Sequence, residues 1–266
     1  MTVYDQIGLG YATRRTTDER WMAPIRSALA GAARVVNVGA GTGSYEPPET
    51  VLAIEPSAAM IAQRAAGTAP VVRGVAERLP LGDGVADAAL AVLTVHHWAD
   101  WRRGLAELKR IARRQVVVAY EVADSLDFWL LDYLPEIAEV ERSRPTTASA
   151  IADVLEAGSV IPLPVPWDFT DGVLLAHWRR PEAYLDSAVQ RGCSALAQLD
   201  PDALEHGLSR LRADLESGRW AQRYGELLGQ QTYDGGYFLV VSEHDGGSSS
   251  FRAQDLRLQD LQDRWS

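Results

Sequence analysis

Residues Arg34–Tyr45 read RVVNVGAGTGSY. Val35, Val36 and Val38 predict a short buried strand, and the chain runs straight from it into a loop with glycines at 39, 41 and 43. Glycine in such a loop lets the backbone approach a ligand that a side chain would hold off. A glycine loop between a strand and a helix also presents N–H groups to polar or anionic ligand atoms. The spacing narrows the choice of ligand. Dinucleotide folds open with G-x-G-x-x-G, whereas here the third glycine comes one residue early. No Lys-Ser or Lys-Thr follows to make a phosphate-binding loop.

Further along, VLAIEPS (51–57) is a second apolar run that ends in Glu55. An acid at that strand end is placed to accept hydrogen bonds from two adjacent ribose hydroxyls, and such charge-assisted bonds are strong and directional. The next stretch, VVRGVAERLPLGDGVADAAL (71–90), gives a third strand at Val71 and Val72 with Ala76 and Glu77 on the loop after it. A carboxylate at 77 would accept the exocyclic amine of adenine, with Ala76 and Leu79 lining the ring. Asp87 then precedes the apolar run Ala88 to Val95, which is long and uniform enough for a central strand covered on both faces. Three strand ends of this kind form one crevice at the carboxyl edge of a parallel sheet.

The order GAGTG, then IEPS, then GVAERLPLGDGVAD, then a strand ending in His-His-Trp resembles the class I S-adenosylmethionine-dependent methyltransferases. Within them it is most similar to the small-molecule branch that includes the ubiquinone/menaquinone and trans-aconitate methyltransferases. The resemblance covers residues 1–125 well and the rest loosely. It implies a Rossmann-like α/β fold: a mostly parallel seven-stranded sheet, an antiparallel last strand, and a helical cap inserted near the C-terminal strands. It implies S-adenosyl-L-methionine as cofactor, with Gly39, Gly41 and Gly43 passing under its methionine part, Glu55 holding the ribose and Glu77 meeting adenine. Ala40, Pro56, Ala76 and Leu93 are further expected cofactor contacts. Three positions depart from the family pattern. Asn37 replaces the usual acid of the first strand, Glu77 stands where an aspartate is commoner, and Arg113-Arg114-Gln115 replaces a glycine before the fifth strand.

Composition sets the bounds. A chain of 266 residues holds one large domain, or one domain with a substantial insertion. The 36 acids against 26 bases, a net charge of −10, argue against tracking a phosphate backbone. Arg102, Arg103, Arg110, Arg113 and Arg114 fall at helical spacing and read as a solvated face. No signal-peptide pattern opens the sequence and no apolar stretch approaches the ~20 residues of a membrane span, so the expectation is a cytoplasmic protein with no membrane partner. The single cysteine, Cys193, excludes an intramolecular disulfide, and no Cys/His spacing suggests a metal.

The expected organisation is an N-terminal helical lid over 1–33, a cofactor-binding core over 34–125, remaining core elements and a helical substrate cap over 126–236, a last core strand over 237–245, and a tail over 246–266. Within the lid, Arg14 or Arg15 would meet the cofactor's carboxylate and Tyr11 would cover its sulfonium. Helix is expected over 101–112, over 125–157 and over 180–232, with strands at 115–121 and 237–243. Pro162, Pro164 and Pro166 limit VIPLPVPWDF to an edge strand.

Methyl transfer needs nucleophile, methyl and sulfur in line, and a base where the nucleophile is a hydroxyl. His96 and His97 are the first candidates for that base, expected at the end of the fourth strand with only one of them facing the substrate. His177 is the second candidate, and Tyr120 or Glu121 would line the pocket. Trp129, Tyr133, Trp167, Phe169, Trp178 and Tyr184 offer flat surfaces for a ring-bearing acceptor, and Arg179 and Arg180 would meet a carboxylate or cap a helix. The acceptor atom, oxygen, nitrogen or carbon, stays open, as does a monomer or homodimer. The competing readings are a tRNA or protein methyltransferase and a non-methylating S-adenosylmethionine-binding protein.

Overall fold

Val35–Val38 forms β1 near the centre of a seven-stranded sheet, and all four residues are buried. The structure, a computed structural model, describes residues 15–121, 127–142 and 146–244. After β1 come β2 (Thr50–Glu55), β3 (Val71–Arg73), β4 (Ala86–Val92), β5 (Ala112–Tyr120), β6 (Ser159–Pro162), the two-residue strands β7 (Val165–Pro166) and β8 (Thr232–Tyr233), and β9 (Tyr237–Glu243). The sheet order is β3-β2-β1-β4-β5-β9-β6, while β7 and β8 pair separately. β1 to β5 run parallel, and β9 is antiparallel to both β5 and β6. The sheet is the mostly parallel one expected, with an antiparallel last strand.

Strand alternation gives each face its own core. Val36, Val38, Ala89, Ala91, Val117 and Ala119 point one way. They pack under Leu105, Leu108 and Ile111 of helix Trp101–Ile111, and under Ile151 and Leu155 of helix Ala148–Leu155. Val35, Ala88, Leu90, Val116 and Val118 point the other way, onto Trp21, Met22 and Ile25 of helix Glu19–Ala28 and onto the cap. β6 lies at the sheet edge with all four residues exposed, an edge position that suits its single proline, Pro162.

Two expectations need correction. Residues 39–49, between β1 and β2, hold turns and no helix. The two consecutive prolines Pro47 and Pro48 and the short span leave no room for one, so the glycine loop feeds no helix N-terminus. The helical stretches are also broken. In place of 180–232 there are 3-10 turns at Pro181–Leu185, Leu196–Gln198 and Gly225–Gly229, and helices Ser187–Gly192, Pro201–Ser217 and Arg219–Tyr224. Pro201 opens the longest of these behind an Asp200 cap, and Gly218 closes it in the left-handed conformation at φ 77°. In place of 125–157 there are a 3-10 turn at Trp129–Asp132 and helices Ile137–Arg142 and Ala148–Leu155, with Pro135 between the first two.

The cap, drawn from residues on either side of β6, is tied to the start of the described chain. Asp18 caps helix Glu19–Ala28, and its Oδ2 accepts from the N–H and hydroxyl of Thr170, both at 3.2 Å. Trp21 donates from Nε1 to the Pro164 carbonyl at 3.0 Å and packs on Phe169 at 4.6 Å between ring centroids. Burial alone would disfavour the Asp18 carboxylate, but hydrogen bonds from Arg20 and Thr170 outweigh it and lower its pKa to about 2.

Candidate active site

A cleft of about 360 Å³ lies at the carboxyl ends of β1, β2 and β4, where the strand order reverses. Gly39, Ala40, Gly41, Glu55, Pro56, Ala76, Glu77, Leu93 and His97 all line it. Gly39 has φ 70°, and a Cβ there would sit 2.0 Å from Thr94 Oγ1, so the position admits no side chain. Gly41 has φ 52° and open space where a Cβ would go, so the loop leaves the cleft clear. Gly43 does not line the cleft. It backs onto Arg64, which a Cβ would approach to 3.4 Å.

The N–H groups of Gly39, Ala40, Gly41 and Gly43 are committed to the protein. Those of Gly39 and Ala40 donate to the Ile54 carbonyl at 2.8 and 3.0 Å, and that of Gly43 donates to Ala40. The Gly41 N–H donates to Glu55 Oε2, and the Ser57 N–H donates to Oε1, both at 2.8 Å. The Gly41 and Ser57 N–H groups thereby orient Glu55. A carboxylate so held has a fixed direction, and each oxygen keeps lone-pair capacity for a vicinal diol. Glu77 sits on the 3-10 turn Ala76–Arg78 and accepts from the Asp100 N–H at 3.2 Å.

Sequence reading missed what stands in for the acid absent at Asn37. Asn37 donates from Nδ2 to Glu46 Oε2 at 3.1 Å, and both Glu46 oxygens accept from Arg64 Nη2 at 2.7 Å. The pair is enclosed, with side chains only 5% and 4% exposed, and Arg64 also reaches the Gly41 carbonyl at 3.4 Å. A buried ion pair thus braces the loop from below where no helix does. Met60, Thr94 and Trp98 are among the cleft-lining residues that were also missed.

A second, smaller cavity of about 50 Å³ shares the walls Arg15 and Leu93 with the first. His96, Tyr120, Glu141 and Tyr237 line its polar side, and Val173, Leu174 and Leu175 of the cap line its apolar side. β4 ends at Val92, so His96 and His97 stand on a 3-10 turn, Val95–His97, and not on the strand. The turn still divides them: His97 faces the large cleft and His96 the small cavity. The Tyr120 hydroxyl donates to Glu141 Oε2 at 2.5 Å, and the His96 ring meets the Tyr120 ring edge-on at 4.9 Å. Burial pushes the Tyr237 hydroxyl up from its usual range, and Tyr120 and Glu141 push it further. Burial raises the Cys193 thiol in the same cavity, and Glu141 adds to the effect.

Arg15 donates from Nε and Nη2 to the two carboxylate oxygens of buried Asp171, at 2.5 and 2.9 Å. Its guanidinium is held at the border of the two cavities. Arg14 and Tyr11 lie outside the described residues. His177 lines neither cavity and packs edge-on against Tyr184. Glu121 caps helix Ala148–Leu155 by accepting from the Ala148 N–H. The cap aromatics line neither cavity either. Trp129, Tyr133, Phe169, Trp178 and Tyr184 are core, and Trp167 is exposed beneath Arg179. Among the described residues no helix is long and apolar enough to cross a membrane, and no group of His, Cys, Asp and Glu could hold a metal.

A fixed carboxylate at the edge of a cleft of this size is the kind of feature a nucleoside site uses. Comparison with known proteins agrees. A family model described as a methyltransferase domain matches residues 30–120. The chain is 30% identical to a demethylmenaquinone methyltransferase of Mycolicibacterium gilvum, over 53% of this chain and 68% of that protein. It is 29% identical to the Mycobacterium tuberculosis protein of the same name, over 53% of this chain and 67% of that one. A crystal structure from Anabaena variabilis, described as a methyltransferase from an antibiotic biosynthesis pathway, aligns with TM-score 0.80 and 30% identity, over 86% of this chain and 99% of that one. Fold, cleft and relatives agree, and the chain belongs to the class I S-adenosylmethionine-dependent methyltransferases, enzymes that take S-adenosyl-L-methionine as cofactor.

Proposed function

We propose that this methyltransferase acts on a small-molecule acceptor whose reacting end enters the cavity beyond Leu93. The observation that carries this reading is the adjacency of the two cavities. Across a shared wall of Arg15 and Leu93, the cleft suited to the cofactor lies against a space of about 50 Å³ under the cap. A space that size takes the functional-group end of a small compound, since a single water needs about 10–15 Å³. The net charge of −10 supports the same reading against a nucleic-acid substrate. The relatives' names, demethylmenaquinone methylation and an antibiotic pathway, both concern small molecules and support it further. A cytoplasmic setting belongs to the same proposal.

In this reading Glu55 holds the ribose diol, Ala76 and Glu77 meet the adenine edge, and Gly39 to Gly41 keep the loop low under the methionine part. S-adenosylmethionine, when bound, supplies a methyl carbon on a sulfonium that is ready to be displaced. Leu93 and His97 wall the end of the cleft, Arg15 with Asp171 closes its border, and His96 contributes to the acceptor's surroundings. Excluding water there favours the intended nucleophile over solvent.

Label from methyl-labelled S-adenosylmethionine tests this in cell extract of the source organism. Label is expected in the solvent-extractable small-molecule fraction, and Glu55→Gln should reduce incorporation at limiting cofactor by about tenfold or more, the loss of charge-assisted hydrogen bonds. Label carried instead by RNA or by protein would overturn the small-molecule reading.

A further inference from the structure

We propose that Thr94 donates a hydrogen bond to the methionine carboxylate of the bound cofactor, and that Trp98 positions Thr94 to do so. The inference rests on the reading that the methionine part lies over the glycine loop, and it names a donor that meets it there. Thr94 follows β4, lines the cleft and is 9% exposed. Its hydroxyl oxygen stands so close over Gly39 that a Cβ on that glycine would lie 2.0 Å away. The Trp98 indole N–H donates to the same oxygen at 3.2 Å. Among the described residues, however, the hydroxyl's own proton meets no acceptor. An enclosed donor left in that state is costly, and a ligand that brings an acceptor removes the cost.

The free proton selects the ligand atom. In the methionine part of S-adenosylmethionine the ammonium only donates, the sulfonium is positively charged and a poor acceptor, and the carboxylate only accepts. A donor beneath that part therefore matches the carboxylate. Neighbouring donors are already engaged: the Gly39 and Ala40 N–H groups on Ile54, the Gly41 N–H on Glu55, and the Ser44 hydroxyl on the Arg15 carbonyl. Thr94 supplies what they do not. Hydrogen bonds to an ionised acceptor are roughly twice as strong as neutral ones, and the enclosed setting keeps water from competing for this one. Trp98 acts through Thr94. By occupying one lone pair, its N–H fixes the directions left to the second lone pair and the proton. The indole is itself seated on helix Trp101–Ile111 at Gly104, where a Cβ would come within 2.3 Å of the ring. Thr94 touches the cofactor in this arrangement, and Trp98 is a positioning residue.

The test is calorimetry with S-adenosylhomocysteine and its decarboxylated analogue, which keeps the amine and the thioether and lacks only the carboxylate. Wild type is expected to bind S-adenosylhomocysteine more tightly than the analogue by about tenfold or more. Thr94→Val removes the hydroxyl at nearly constant shape. It should weaken S-adenosylhomocysteine by about tenfold and leave the analogue within about twofold, the sign of an intact cleft. Thr94→Ser, which keeps the donor, should stay within about threefold of wild type for both. Trp98→Phe should weaken S-adenosylhomocysteine by about threefold in wild type and not at all beside Thr94→Val, a coupling that a purely structural indole would not show. Should Thr94→Val fail to fold, the effect of Trp98→Phe on one ligand and not the other decides. A preference kept in full by Thr94→Val assigns the carboxylate to other groups, Arg15 first, and overturns the inference. An equal loss of both ligands does so too, since it places the partner on the part they share. Equal binding of the two by wild type overturns instead the underlying placement of the methionine part over the loop.

Discussion

Gly39 and Gly41 share a positive φ and a place in one loop, yet their surroundings differ. A methyl group at 39 would lie 2.0 Å from the Thr94 hydroxyl, whereas at 41 it would meet open cleft. Gly39→Ala is therefore expected to cost about 2–4 kcal/mol of stability, left-handed strain plus overpacking. Gly41→Ala should cost about 1 kcal/mol and lower S-adenosylhomocysteine affinity by an order of magnitude, because its methyl occupies ligand space. Thermal melts beside calorimetry separate the two, and equal losses of stability would contradict the distinction. At this scale the sequence is most legible where topology pins a residue to a strand end. Glu55, Ala76, Glu77 and Leu93 all line the cleft. Glu141 was illegible because an acid on an amphipathic helix reads the same whether solvated or buried. Arg15 was named as a cofactor partner, but its tie to Asp171 joins residues 156 apart in sequence, and no local pattern carries that.

Among the elements, the crossover at 39–49 departs furthest from expectation. A glycine loop after a strand is read as the entry to a helix, and only the closeness of Pro47-Pro48 to β2 signals otherwise. The Glu46–Arg64 pair does the bracing in its place. Removing one partner of an enclosed pair strands the other charge, so Arg64→Met is expected to lower unfolding free energy by about 3–5 kcal/mol. Adding Glu46→Gln should cost less than the sum of the two single changes, by about 1 kcal/mol or more. Urea unfolding of the four proteins measures this, and strict additivity would show that the pair does not act as a unit. Helix breaks were only half legible for a related reason. Pro181, Pro201 and Gly218 mark the ends visibly, but apolar residues recurring across them look like one continuous face until the chain is seen to turn.

On the scale of the whole molecule, the segment that leads into the sheet is sewn to the cap through Arg15, Trp21 and Asp18. The folded pKa of Asp18, about 2, lies below the roughly 3.9 of an unfolded aspartate. Between those values the unfolded chain binds more protons, so stability from this group rises with pH, is complete above about pH 4 and is lost as pH falls through 2. Asp18→Asn is accordingly expected to be about 2 kcal/mol less stable than wild type at pH 6, with the gap closing between pH 4 and pH 2. A gap independent of pH would assign the loss to packing instead. Parallel-sheet order and the position of the crevice were legible because successive strand ends carry their own signatures. The cap was not, since its aromatics serve as core and leave the small cavity to residues with no shared motif. Leu93 and Arg15 form a common wall between the two cavities, and Leu93 holds φ 50°, a strained value for a side chain of its size. A ligand that shifts that wall from one side changes the surface met from the other. Thermodynamic linkage then makes the effect mutual: the factor by which either ligand strengthens the other's hold is one number, readable from whichever side is easier to titrate.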